Sequence, residues 1–278
     1  MFTVNQVFPG ISHITDAMCV SFTLIEGKER ALLFDTGYGI EDVSAFVGSL
    51  TRKPVTVFLS HGHHDHVLGS RWFSKTYLCS EDMEEFQERS GKEQRLKVMA
   101  QAKDQELTVP EDFLTDQIEK PEKIQFTESI GPFERRKEEI GSQVVQVIKV
   151  PGHTPGSIVM YIPSYELILT GDNWNPCTWM WFPTSDAADL WRDRMKEMIL
   201  NLEEESGREI KHVICSHQPM MRKGEEMKDF LSYMTDKRMR TAPRIDMSAP
   251  INTHDIRNDE KGWQLIFDQD KCKKTVKK

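Results

Sequence analysis

The sequence predicts an α/β fold, and three observations carry that prediction. Strand-length apolar runs recur along the chain, at 30–35, 55–60, 144–150, 167–170 and 212–216. Stretches with helical spacing lie between them. A histidine or an aspartate stands at the end of run after run, so residues distant in sequence can converge on one site. At 278 residues the chain is long enough for one sizeable core.

The elements follow in order. Met18–Ile25 and Arg30–Asp35 flank a turn containing Gly27 and read as a hairpin. Over 41–50, Val43, Phe46, Val47 and Leu50 share one helical face. From Ser80 to Asp104 acids and bases interleave at helical spacing, which predicts one or two helices capped by Ser80 with a solvated charged face. Ser185 or Asp186 is placed to cap a long amphipathic helix with Leu190, Trp191, Met195, Met198, Ile199 and Leu202 inside. That methionine and aromatic stripe reads as core. Residues 225–240 are helical in pattern, Ile256–Phe267 suggests a terminal hairpin, and 271–278 reads as a frayed, solvated tail.

The chemistry concentrates at His61-Gly62-His63-His64-Asp65-His66. Three imidazoles and a carboxylate at H-x-H-x-D-H spacing cannot all point one way on a regular helix or strand. On a tight loop they diverge into two sets, and imidazole with carboxylate suits zinc, and also iron or manganese. A histidine-rich surface loop is the plainer alternative. It loses ground because the apolar run Val55–Ser60 precedes the window and Val67-Leu68-Gly69 follows it. Further ligands should then come from other strand ends. Candidates are His153 after Val144–Val150, Asp172 after Leu167–Thr170, and His217 after His212–Ser216. Each alone is more often a turn residue; together they form a constellation.

The order Asp35-Thr36-Gly37, then His61, His63, Asp65 and His66, then His153, Asp172 and His217, resembles the metallo-β-lactamase-fold hydrolases. The resemblance runs from about Phe2 to about Met220. It implies a single αββα domain, a four-layer sandwich of two mixed sheets flanked by helices. It also implies two metal ions, most simply zinc. One ion would take His61, His63 and His153, the second Asp65, His66 and His217, and Asp172 would bridge them. An aspartate at the bridging position is similar to glyoxalase II and the N-acyl-homoserine lactonases; true β-lactamases place cysteine or a further histidine among their ligands. Asp35 is implied as a partner that orients the histidine loop without binding metal. Against this family, 81–137 reads as a helical insertion that overhangs the site, and 241–278 as an irregular C-terminal extension.

Composition sets limits. A hydrophobic content of 38% with mean hydropathy of −0.52 describes a soluble globular chain with no membrane helix. The N-terminus lacks a basic start and an apolar signal core, and five cysteines show no paired spacing, so a reducing cytoplasm is expected. A net charge of −8 argues against a nucleic-acid partner.

Two adjacent divalent ions acidify a shared water, whose hydroxide attacks an electrophilic carbonyl or phosphoryl centre. Asp65, ligating through one oxygen, has the other free to hold that nucleophile or carry its proton to the leaving group. Cys177 and Cys215 are surplus to such chemistry. His64 is expected beside the ligands or exposed, and His13, His212 and His254 outside the site. The aromatic segment 174–183 offers Trp174, Trp179, Trp181 and Phe182 as an apolar pocket wall, or else as packing beneath the helix after Ser185. These features predict a metallo-hydrolase of a small, neutral or acyl-bearing ester, lactone, thioester or amide. The alternatives are a phosphodiesterase or nuclease of the same fold and a non-haem iron, sulfur-dioxygenase-like oxygenase. Residues 225–240 carry Lys228, Lys237, Arg238 and Arg240 but no convincing glutathione region.

Overall fold

The computed structural model describes residues 1–141, 143–247 and 251–272. Seven strands form the first sheet in chain order: β1 (Thr3–Phe8), β2 (Ile11–Thr15), β3 (Ser21–Glu26), β4 (Ala31–Phe34), β5 (Val55–Phe58), β6 (Thr76–Leu78) and β7 (Glu122–Lys123). Pairing is antiparallel from β1 to β4 and parallel from β4 to β7. The second sheet starts with β8 (Glu128–Ile130), β9 (Phe133–Glu139), β10 (Val144–Lys149), β11 (Ile158–Ile162) and β12 (Leu167–Leu169). The chain then leaves for β13 (Cys177–Met180) and returns with β14 (His212–Ile214), parallel to β12, and β15 (Arg222–Lys223). A third, small sheet pairs β13 with the hairpin β16 (Thr253–Asn258) and β17 (Trp263–Asp268).

Period-2 alternation builds the layers. On β4, Leu32 and Phe34 face the second sheet while Ala31 and Leu33 face outward. On β11, Ile158, Met160 and Ile162 meet the first sheet, and Val159 and Tyr161 point the other way. Both faces of these strands are apolar because both are covered. Helix α1 (Val43–Leu50) packs Val43 and Val47 outside the first sheet. The helices α5 (Ala188–Ser206) and α6 (Gly224–Tyr233) cover the second, burying Trp191, Met195, Met198 and Phe230. The order helix, sheet, sheet, helix is the αββα sandwich.

Several expectations are corrected. After the single turn α2 (His64–Val67), the helices of 81–137 are α3 (Met83–Arg89) and α4 (Lys92–Asp104), followed by one 3-10 turn at Glu111–Leu114. The rest supplies β7 to β9, strands of both sheets. β9 reads Phe-Glu-Arg-Arg-Lys-Glu-Glu and hides as charge because its inward polar groups are paired. Arg135 meets Gln146, Glu205 and Glu128, and Glu138 meets Arg30 and Arg136. Within the extension 241–278, expected to be irregular, the terminal hairpin expected at 256–267 is present as β16 and β17. Its end is no solvated tail at Lys271, whose ammonium donates to the carbonyls of Phe182, Pro183 and Ser185 at 2.9, 2.8 and 2.7 Å; 273–278 lie outside the described residues. Neither Ser80 nor Ser185 nor Asp186 caps a helix: Ala187 precedes α5, and Ser185 donates instead to the His153 carbonyl at 2.7 Å. Among the described residues no helix is long and apolar enough to cross a membrane. The last named helix is α7 (Asp236–Thr241).

Candidate metal centre

Every strand that ends near the site delivers one part of it. The loop after β5 carries His61 and His63, and α2 turns the chain so that Asp65 and His66 point elsewhere. His153 follows β10, Asp172 follows β12 and His217 follows β14. Two groups result: His61, His63 and His153, and Asp65, His66, Asp172 and His217, with the potential ligand atoms of each group within 4.8 Å of one another. All seven residues expected as ligands are thus brought together.

Three of the buried ligand-group histidines have their far nitrogen hydrogen-bonded, and the fourth, His63, has its own facing a carboxylate. His61 Nδ1 lies 2.9 Å from Ser60 Oγ. His153 Nδ1 donates to the Trp179 carbonyl at 2.8 Å, and His66 Nδ1 to Asp35 Oδ2 at 2.9 Å. His63 turns Nε2 toward Glu85 Oε1 at 3.4 Å and Nδ1 toward His153 Nε2 at 3.1 Å. Such partners select the tautomer and leave the other nitrogen's lone pair for a metal. His61 Nε2, His66 Nε2 and Asp172 Oδ1 are buried with no hydrogen-bond partner among the described residues. Buried polar atoms are rarely left so, and a cation is the ligand that three inward-facing acceptors fit.

The two groups differ electrostatically. Burial drives His61 well below its ordinary pKa and pushes His153 down to about 4, with neighbouring imidazoles adding to both shifts. Both rings are therefore neutral, the form that ligates metal. Burial also opposes charge on His66, but Asp172, Asp65 and Asp35 outweigh it and raise that ring well above its ordinary value. Asp172 stands between the groups. Its Oδ2 is 3.0 Å from His217 Nε2, 3.5 Å from His66 Nε2 and 3.7 Å from His153 Nε2. Gly171 before it has φ of 55°, and a Cβ there would come within 2.7 Å of Ser60, so this turn requires glycine. Asp35 is itself left-handed, with φ of 68°. That strain, about 1–3 kcal/mol, is held in place by bonds from Ser60 N at 2.6 Å and His66 Nδ1 at 2.9 Å.

Further supporting residues were not legible in the sequence. The fully buried carboxylate of Asp82 accepts from Gly62 N at 3.0 Å, Thr154 Oγ at 2.6 Å and Gly156 N at 2.7 Å. It thereby ties the His61–His66 loop to the His153 loop. Asp82, the residue before α3, and Glu85 in its first turn sit three apart; that spacing was the available signal. His13, expected outside the site, is buried and bonds the Gln218 carbonyl at 2.7 Å, next to His217. His212 and His254 stay outside, the first against Phe8 and the second on the Ala242 carbonyl.

The ligands open into a cavity of about 460 Å³. Trp179, Trp181 and Phe182 line it, as do His64, Tyr38 and Arg89. Phe182 stacks on Trp181 at 4.6 Å and lies 4.7 Å from the His63 ring. Trp174 is a correction: its ring is fully buried against Phe230 in the α5–α6 core and cannot reach the cavity. Cys177 also lines the cavity, its thiol bonded to Gln264, whereas Cys215 is buried core.

Known proteins share this frame. The chain is similar to YqgX of Bacillus subtilis (strain 168), a probable metallo-hydrolase, with 24% identity over 153 residues that cover 52% of this chain and 61% of that protein. The sec-alkylsulfatase Pisa1 from Pseudomonas sp. superposes with a TM-score of 0.60 at 18% identity, covering 86% of this chain and 43% of that one. The metallo-beta-lactamase from Pontibacter korlensis gives 0.56 at 16% identity, covering 84% and 98%. The chain therefore spans less than two thirds of the first two proteins, and the structural likenesses concern the fold. Over residues 18–184, more than half of its length, the chain matches the family model of the metallo-beta-lactamase superfamily. A match of that extent, on a sandwich whose strand ends gather seven histidines and aspartates, makes this chain a member of the metallo-beta-lactamase superfamily.

Proposed function

We propose that the chain is a single-domain, metal-dependent hydrolase of a small ester, lactone, thioester or amide. The observation that carries this reading is the pairing of two adjacent ligand groups with an aromatic-lined cavity of about 460 Å³, the size of a small-molecule site. His61, His63 and His153 would hold one ion, and Asp65, His66 and His217 a second, with Asp172 shared; zinc suits this donor set best. Ions held there would supply the acidification of a water and the polarisation of the bond under attack.

The chain's own residues do the rest. Asp65 turns Oδ2 toward His66 and His217, at 3.5 Å from each Nε2, while Oδ1 faces His64 Nδ1 at 3.9 Å. One oxygen is thus free to orient the attacking water and to move its proton toward the leaving group. Trp179, Trp181 and Phe182 bind the apolar part of the substrate and keep water from it.

A phosphodiesterase is disfavoured because Arg89 is the single lysine or arginine among the described residues lining the cavity. Turnover of lactones, simple esters, thioesters, β-lactams and bis(p-nitrophenyl) phosphate at matched zinc tests the reading. Esters or lactones should lead. Preference for the phosphodiester, or activity only with iron and dioxygen, would replace it.

A further inference from the structure

Arg89 ends α3 and puts the only lysine or arginine side chain among the described lining residues into the cavity. Its Nε donates to Glu85 Oε1 at 2.7 Å, and the side chain is only 26% exposed. The guanidinium is therefore held in one plane. Among the described residues no acceptor takes a bond from its two Nη atoms. A fixed guanidinium with both terminal nitrogens available matches the two oxygens of a carboxylate. The other charged groups lining the cavity, Asp65 and Asp172, belong to the ligand groups and would repel an anion. Arg89 is consequently the one lysine or arginine among the described lining residues that can meet a substrate's negative charge.

We propose that Arg89 determines specificity, anchoring a carboxylate carried by the same molecule as the scissile acyl bond, with the apolar body between them lying on Trp179, Trp181 and Phe182. This deepens the hydrolase reading and rests on it, and it narrows the expected neutral substrate to an anionic one. A purely structural role, in which Arg89 only steadies Glu85 behind His63, is the competing account.

Steady-state kinetics of the zinc-loaded protein separate the two. The probes are 4-acetoxybenzoate, its neutral amide 4-acetoxybenzamide, and the cationic (4-acetoxybenzyl)trimethylammonium. The wild type should favour the anion over the amide by about tenfold in kcat/KM, chiefly through KM. Arg89→Gln should erase that ratio, Arg89→Lys should restore part of it, and Arg89→Glu should favour the cation. Rising ionic strength should shrink the wild-type preference. Equal use of anion and amide by the wild type would overturn the proposal and leave the hydrolase reading standing. So would an Arg89→Gln loss that is the same for both esters, which would assign Arg89 to support of Glu85. Failure to cleave any of the three would overturn the hydrolase reading and this proposal with it.

Discussion

Two of the segments that line the cavity, α3 and 174–182, meet the ligands by different means. From the start of α3 and the residue before it, Glu85 and Asp82 reach the site as side chains: Asp82 ties two ligand loops together and Glu85 backs His63. From 174–182 the ligand support is a backbone atom, the Trp179 carbonyl that takes the Nδ1 proton of His153. The side chains there do other work, with Trp174 filling the core and Trp179, Trp181 and Phe182 lining the cavity. A carbonyl is present whatever residue occupies the position; a carboxylate is not. Substitutions of Asp82 and Glu85 should therefore be felt through the metal, and substitutions in the aromatic segment through stability or substrate binding.

Three variants test that division, from the largest effect down. Trp174→Ala should cost roughly 3–5 kcal/mol of unfolding free energy, the usual range for emptying a buried tryptophan site. Its KM should stay close to wild type, because the ring lies outside the cavity. A large KM change without destabilisation would return Trp174 to the substrate. Glu85→Ala should weaken metal binding by about 10–100-fold, the common cost of removing a ligand's outer partner. Chelator titration reads this directly, and unchanged affinity would make the α3 contact incidental. Trp179→Ala is the mildest. It should raise KM several-fold, within about tenfold, with metal content unaltered, since a stacking contact is made about equally in ground and transition states. Loss of metal from this variant would break the distinction between the two segments.

The same contrast governs what the sequence revealed. His61, His63, Asp65, His66, His153, Asp172 and His217 were legible because each follows an apolar run, and a histidine or aspartate there is conspicuous. Asp82, Glu85 and Arg89 were not. They lie among acids and bases at helical spacing, and on sequence alone a buried carboxylate looks like a solvated one. β9 stayed hidden for the same reason, its buried Arg135 and Glu138 being paired charges. The aromatic segment was half legible. Along β13, Thr178 and Met180 are buried while Trp179 is 40% exposed, a strand alternation that three tryptophans in close succession conceal.

The two ligand groups should hold two ions at once. Metal content per chain, by plasma emission on fully loaded protein, tests it most directly. Two transition-metal ions are expected in the wild type, zinc by preference, and one in His217→Ala, because His217 belongs to the second group alone. A fully loaded wild-type chain holding a single ion would contradict it.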